Sequence, residues 1–231
     1  MNGFTDIHAH FVYGIDDGPQ TRKEMESMLD AANMDGITSW FATPHVIPGM
    51  RPFPLALFQE RLEEGRQYCR QKRYPLKLYD GAEVLFTPLL ERYASEHCLP
   101  TLAQSGHLLL EFVPDISFGE LRKALEKLEH YGYVTVLAHA ERYECLFRPG
   151  ALRRLKEVCD IRCQINCNSL LTKRGIMRDL GIHRWFKEEL VDFVATDAHN
   201  CGSRPLCMRA TYDVLKRRYG RIYAQKLTGC Y

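Results

Sequence analysis

The sequence predicts an α/β fold, a small, distorted (β/α)7 barrel, on two observations. Apolar strand patterns alternate with amphipathic helix patterns along the whole chain. Side chains able to bind a metal ion recur where those strands end. Strands that alternate with helices form parallel sheets joined by right-handed crossovers. An open doubly wound sheet is the alternative architecture. In both, the functional site belongs at the carboxyl ends of the strands.

The first predicted strand, Phe4–Ala9, runs into Asp6-Ile7-His8-Ala9-His10. Strand alternation puts His8 and His10 on one side, about 7 Å apart along the chain and within reach of one ion. An isolated H-x-H pair carries little information; the series that follows carries more. Thr21-x-x-Glu24 is a capping box that opens the first helix, and Gly36 stops it. The second strand, Thr38–Thr43, is followed by His45, and the third, Leu76–Ala82, by Glu83. Glu111 lies late in the fourth, His107–Val113. Ser117-x-x-Glu120 opens the next helix, where Leu121, Ala124, Leu125 and Leu128 form one core-facing stripe before Gly132. His139 ends the fifth strand, Val134–Ala138. The sixth, Arg162–Asn166, offers no ligand, and the seventh, Val191–Thr196, ends in Asp197 and His199. Gly220 stops a late helix. His97, His107, His130 and His183 do not follow strand ends and receive no role.

The 231 residues, 45% hydrophobic and 26% charged, suit a soluble protein with one domain over 1–231. No apolar run reaches the roughly 18 residues that span a bilayer. Polar Asp6, His8 and His10 stand where a signal peptide would be apolar, so a cytoplasmic location is expected. A net charge of +2 offers no field for nucleic acid. Arg70, Lys72 and Arg73, and Lys216, Arg217, Arg218 and Arg221, read as solvated helix faces, with a docking surface for an acidic segment as the sharper alternative. The nine cysteines form no C-x-x-C pair; Cys163, Ile165 and Cys167 share one strand face and read, with Cys159, as reduced, buried apolar residues.

Imidazoles and carboxylates without thiolates favour Mn²⁺, Fe²⁺, Zn²⁺ or Mg²⁺. The candidates exceed the about four to six ligands of one ion, so two or three ions with a bridging carboxylate are expected. Arg142 follows His139 and Arg204 follows His199 within a few residues. A guanidinium holds phosphate through a planar fork, and clustered metals serve phosphate ester hydrolysis. Thiol catalysis is the rival, but no cysteine has an arginine six positions later, and Cys201 stands at the wrong spacing from Arg204. No G-x-x-x-x-G-K-[ST] or G-x-G-x-x-G motif is present.

Asp6-Ile7-His8-Ala9-His10, Asp16-Asp17-Gly18-Pro19, Thr43-Pro44-His45, Gly81-Ala82-Glu83, Leu110-Glu111-Phe112, Ala138-His139-Ala140-Glu141-Arg142-Tyr143 and Ala195-Thr196-Asp197-Ala198-His199-Asn200 together resemble the PHP (polymerase and histidinol phosphatase) superfamily. They are most similar to its bacterial protein-tyrosine phosphatases, the CpsB/YwqE type of capsule and exopolysaccharide operons. The resemblance covers nearly the whole chain in order. It implies a distorted (β/α)7 barrel of the PHP type with a trinuclear site. His8, His10, Glu83 and Asp197 would hold the first ion; Glu83, Glu111 and His139 the second; Asp17, His45 and His199 the third. Asp17 rather than Asp16 matches the family position. Arg142 and Arg204 match the arginines that hold the phosphate. Manganese is the expected metal, with iron, zinc or magnesium as alternatives. The implied substrate is the phosphotyrosine-bearing tail of a bacterial tyrosine kinase, with no nucleic acid and no membrane insertion. A small-molecule phosphatase such as histidinol-phosphate phosphatase, or a non-catalytic phosphopeptide-binding module, are the other readings. The chain departs from the family at Val46, often a histidine or basic residue, and at its Leu227-Thr228-Gly229-Cys230-Tyr231 end.

Overall fold

A computed structural model describes residues 3–50 and 52–230 of the chain. Met1 and Tyr231, the ends of the expected domain, lie outside the described residues. The described residues form nine strand segments: β1 (Phe4–Ala9), β2 (Ile37–Ala42), β3 (His45–Val46), β4 (Lys77–Asp80), β5 (Glu83–Leu85), β6 (His107–Glu111), β7 (Val134–Leu137), β8 (Ile161–Asn166) and β9 (Phe193–Ala195). All pairings between them are parallel, in the orders β1-β2-β4 and β3-β5-β6-β7-β8-β9.

The nine segments are seven strands, two of them broken. β2 and β3 are parts of one bent strand, as are β4 and β5, and the two parts pair with each other in turn. Thr43-Pro44 makes the first break: proline has no N–H for the ladder. Gly81 makes the second, where a Cβ would come within 2.9 Å of Leu102 Cδ2. The expected third strand, Leu76–Ala82, therefore stops at Asp80 and resumes at Glu83. The ring closes beyond β9, where Ala198 bridges Ala9 in parallel and Asp197 N donates to His8 O at 2.8 Å. This is the distorted barrel that the alternating pattern predicts, and it excludes the open sheet.

Inside the ring, Ile7, Leu102, Leu109, Val136, Ala138 and Ala195 fill the lower barrel. Further along the same inward rows the residues become polar: Leu109 gives way to Glu111 and Ala195 to Asp197. The apolar layer stabilises the barrel and the polar layer above it is free for chemistry. Odd-numbered residues of β8 (Cys163, Ile165) and the following Cys167 are fully buried against the outer layer, as their alternation predicts.

The helices obey their local signals. Thr21 and Ser117 cap Arg22–Asp35 and Phe118–His130, each with a complete capping box. Gly36 takes the left-handed conformation at φ 86°, as a helix stop requires. Leu121, Ala124, Leu125 and Leu128 are the buried residues of their helix. Among the described residues, no helix is long and apolar enough to cross a membrane.

Candidate metal centre

Every ligand candidate stands at the carboxyl rim of the ring. His8 and His10 come from β1 and the residue after it. His45 and Glu83 open β3 and β5, where they are direct register partners. Glu111 ends β6, and His139, Asp197 and His199 follow β7 and β9. His45 and Glu83 thus begin new strand segments rather than trailing old ones, because the breaks at Pro44 and Gly81 tip them over the mouth. β1 carries one extra residue beneath its histidines: Asp6 pairs with Trp40 and Ala9 with Ala42. That bulge re-aims the local side chains. His8 Nε2 and His10 Nε2 end 3.3 Å apart.

Two ligand candidates are held in the left-handed region that non-glycine residues avoid, His139 at φ 31° and Asp197 at φ 52°. Backbone contacts hold both: His139 N donates to Gln164 Oε1 at 2.7 Å, and Asp197 N to His8 O. Strained non-glycine backbone of this kind concentrates at functional sites.

Glu83 is the centre. Its carboxylate lies 3.3 Å from His8 Nε2, 3.3 Å from His10 Nε2, 3.0 Å from His45 Nδ1 and 2.7 Å from His139 Nε2. Among the described residues, four overlapping groups have ligand atoms mutually within 4.8 Å: His10, Asp17, His45 and His199; His8, His10 and Asp197; His8, Glu83 and His139; His45, Glu83 and Glu111. All nine predicted ligand residues fall in these groups. The groups divide these residues differently from the sets that the resemblance implies: Glu111 and His139 fall in separate groups, Glu83 is grouped with neither His10 nor Asp197, and His10 joins Asp17, His45 and His199.

The electrostatics are those of a cation site filled by protons. Burial alone would raise the Glu83 pKa, but the four surrounding imidazoles hold it well below the usual carboxylate range. Burial opposes a charge on His10, yet the hydrogen bonds it donates to Asp16 and Glu83 outweigh it and push its pKa to about 10. His139 is likewise pushed to about 9, against burial, by Glu111 and Glu83. His199 goes the other way, to about 4, through burial and then the His10 charge, with whose ring it stacks at 3.9 Å. Its Nε2 is buried without a hydrogen-bond partner among the described residues. Nitrogen and oxygen donors converging on shared points, with His139 Nδ1 and His199 Nε2 making no hydrogen bond among the described residues, fit divalent metal ions.

Asp16 and Asp17 separate cleanly. Asp16 is nearly buried; its Oδ2 takes His10 Nδ1 at 2.6 Å and His45 N at 3.1 Å, so it orients ligands from behind. Asp17 is 59% exposed and sets Oδ1 at 3.3 Å from His45 Nε2 and 3.2 Å from His199 Nε2. Asp6 faces away from the ligands: Trp40 Nε1 and Thr196 Oγ1 donate to its Oδ2, and Thr196 N to its Oδ1. Burial raises its pKa to about 6, and it ties β1, β2 and β9 together.

Arg142 and Arg204 flank the cluster, both on Asp197: Arg142 Nη2 lies 2.7 Å from Oδ2 and Arg204 Nη2 2.9 Å from Oδ1. Arg142 also approaches Glu111, at 3.7 Å, and Arg204 approaches Asp17, at 3.4 Å. Beside Asp17, His45 and Glu111 opens a cleft of about 690 Å³, walled by Ile47, Met50 and Phe53. Cys201 is exposed, and burial of its sulfur raises the thiol pKa, the wrong direction for a nucleophile.

Two buried residues escaped sequence reasoning. Gln164 and Asn166 of β8, the strand without ligand candidates, point inward to His8 and Asp197. Their signal was faint: two polar residues alternating with Cys163 and Ile165 on a strand with no exposed side.

The sequence profile of the capsular polysaccharide synthesis CpsB/CapC family matches residues 4–229. The chain is 31% identical over 232 residues to the tyrosine-protein phosphatase CpsB of Streptococcus pneumoniae, across 96% of this chain and 93% of that one. It is 28% identical to the tyrosine-protein phosphatase YwqE of Bacillus subtilis, across 96% and 88%. In three dimensions it matches a chain from the crystal structures of those two proteins, described as unique metal-dependent tyrosine phosphatases, with TM-score 0.83 and 26% identity over 95% and 89% of the chains. An Escherichia coli phosphotriesterase homology protein, solved with phosphate in its active site, shares the fold at TM-score 0.60 and 10% identity over 98% and 96%. The match over nearly its whole length shows that this chain belongs to the CpsB/CapC family of capsular polysaccharide synthesis.

Proposed function

We propose that this chain is a metal-dependent protein-tyrosine phosphatase of the cytoplasm. Its substrate is the phosphotyrosine-bearing tail of a bacterial tyrosine kinase that controls capsule or exopolysaccharide synthesis. One observation carries the reading: a carboxylate ringed by four imidazoles lies beside two arginines that share one aspartate.

His8, His10, Glu83 and Asp197 would hold one ion, Glu83, Glu111 and His139 a second, and Asp17, His45 and His199 a third, with manganese the expected metal. Bound there, such ions neutralise phosphate charge and bring the pKa of coordinated water to about 7. The chain's own groups do the rest. Arg142 and Arg204 bind the phosphoryl oxygens through their forked donors and fix the ester in line for attack. Both already stand at the rim, held by Asp197, so little reorganisation is needed. The Ile47, Met50 and Phe53 wall shelters an aromatic ring beside the site. A phenolate leaves with a conjugate pKa of about 10, so this substrate does not demand a strong general acid.

The test is phosphate release from a phosphotyrosine peptide by the manganese-loaded protein, with a phosphoserine peptide and an alkyl phosphate beside it. Preference for the aryl ester supports the reading. Equal rates on alkyl esters would move it to a small-molecule phosphatase. No release with manganese, iron, zinc or magnesium would overturn it.

A further inference from the structure

We infer that Gln164 is a positioning residue: it selects which nitrogen of His8 faces the metal centre and, through Asn166, which oxygen of Asp197 does so. The inference rests on the metal-centre reading above and extends it to the strand that supplies no ligand.

The backbone N–H of His139 can only donate. The Gln164 atom 2.7 Å from it is therefore the amide oxygen, Oε1. That same oxygen lies 3.2 Å from His8 Nδ1. An oxygen cannot donate, so Nδ1 must carry the proton for this bond to form. His8 Nε2 is left with its lone pair, and it points at the cluster, 3.3 Å from Glu83 Oε2 and 3.6 Å from Asp197 Oδ1.

The other end of the amide follows. With Oε1 committed, the Gln164 NH₂ group faces Asn166 Oδ1 at 2.9 Å. Asn166 must then present its own NH₂ group to Asp197, where Nδ2 donates to Oδ2 at 2.7 Å. Arg142 adds a second donor to that oxygen. Oδ1 remains turned toward His8 Nε2 and His10 Nε2, 3.6 Å from each. Starting from one backbone N–H, a single polarised chain thus orders a histidine tautomer and a carboxylate. Both amides are buried and neutral, so they orient the ligands without adding charge. A glutamate at 164 could accept from both histidines but could not donate to Asn166. Groups that orient ligands in this way typically change metal affinity by about 10–100-fold when removed.

Manganese affinity and stoichiometry of Gln164→Met, which keeps the bulk and removes both polar atoms, form the first test. Affinity should fall about 10–100-fold with the number of ions unchanged. Gln164→Glu, which restores the acceptor, should recover part of the loss. Wild-type affinity in Gln164→Met would overturn the inference. The second test needs no variant: ¹⁵N-histidine spectra of the zinc-loaded protein should show His8 bound through Nε2 with a proton on Nδ1. Zinc on Nδ1 would overturn the inference even if Gln164→Met failed to fold. A protein that bound no divalent ion would overturn this inference together with the metal-centre reading. One that bound metal as described but released no phosphate would leave it standing and remove only the phosphatase.

Discussion

Arg142 donates from Nη2 to Asp197 Oδ2 across 2.7 Å, and the same carboxylate engages Arg204 through its other oxygen. Asp197 thereby holds two cations a short step from the ligand cluster. A phosphoryl group offers three oxygens to these guanidiniums and competes for the same donors.

If that is the role of Arg142, Arg142→Ala should lower kcat/KM for a phosphotyrosine peptide by about 10²–10³-fold, as loss of one preorganised donor does. Metal content should stay at the wild-type level by elemental analysis, because Arg142 is not among the convergent donors. Wild-type turnover in this variant would remove the arginine from phosphate binding.

Much of this was legible in the sequence because strand alternation and strand ends are local features. Capping boxes at Thr21 and Ser117, the stripe from Leu121 to Leu128, and the rim positions of His139 and Asp197 all follow from short-range pattern. What was not legible depends on contacts made across the ring. The third strand was expected to be continuous, since nothing in its pattern shows Leu102 crowding Gly81. Asp16 and Asp17 are indistinguishable as neighbours, and only the loop's path buries one against His10. Gln164 and Asn166 resemble ordinary strand residues until His8, 156 positions away, is brought beside them.

Asp16 and Asp17 should fail differently. Asp17→Asn removes a convergent oxygen from the His45 and His199 group, so metal stoichiometry should drop by one ion while the others remain. Asp16→Asn leaves every donor in place but loosens His10 and His45; it should weaken affinity by about 10–100-fold at unchanged stoichiometry. Calorimetric titration with manganese reads both quantities. Identical behaviour of the two variants would contradict the division of labour.

Phe53 should govern the preference for aromatic esters. It lines the cleft beside Asp17 and His45, whose lining includes neither arginine. An aromatic contact contributes about 0.5–1.5 kcal/mol, so Phe53→Ala should raise KM for phosphotyrosine peptide roughly 2–12-fold. Competitive inhibition by inorganic phosphate, which has no ring, should not change. An equal loss for both would place Phe53 in the scaffold rather than in ring binding.

Loading with metal should depend steeply on pH, and the sign follows from the metal-free site. There His10 keeps its proton to about pH 10 and His139 to about pH 9, both above the ordinary histidine value of about 6.5. A proton and a cation compete for the same lone pair, so affinity rises with pH, about tenfold per pH unit for each proton displaced. At pH 7.5 both rings are charged before loading, and binding should release protons, measurable as a dependence of the calorimetric heat on the ionisation enthalpy of the buffer. Stability of the chelated protein should move the opposite way. A raised histidine pKa stabilises the fold fully below about pH 6.5, and that contribution disappears as pH climbs through about 9 and 10. The melting temperature with chelator should therefore fall from pH 7 to pH 10, while the manganese-loaded protein, whose imidazoles hold metal instead of protons, should resist that fall. Parallel curves for the two forms would show that metal and protons do not share these nitrogens.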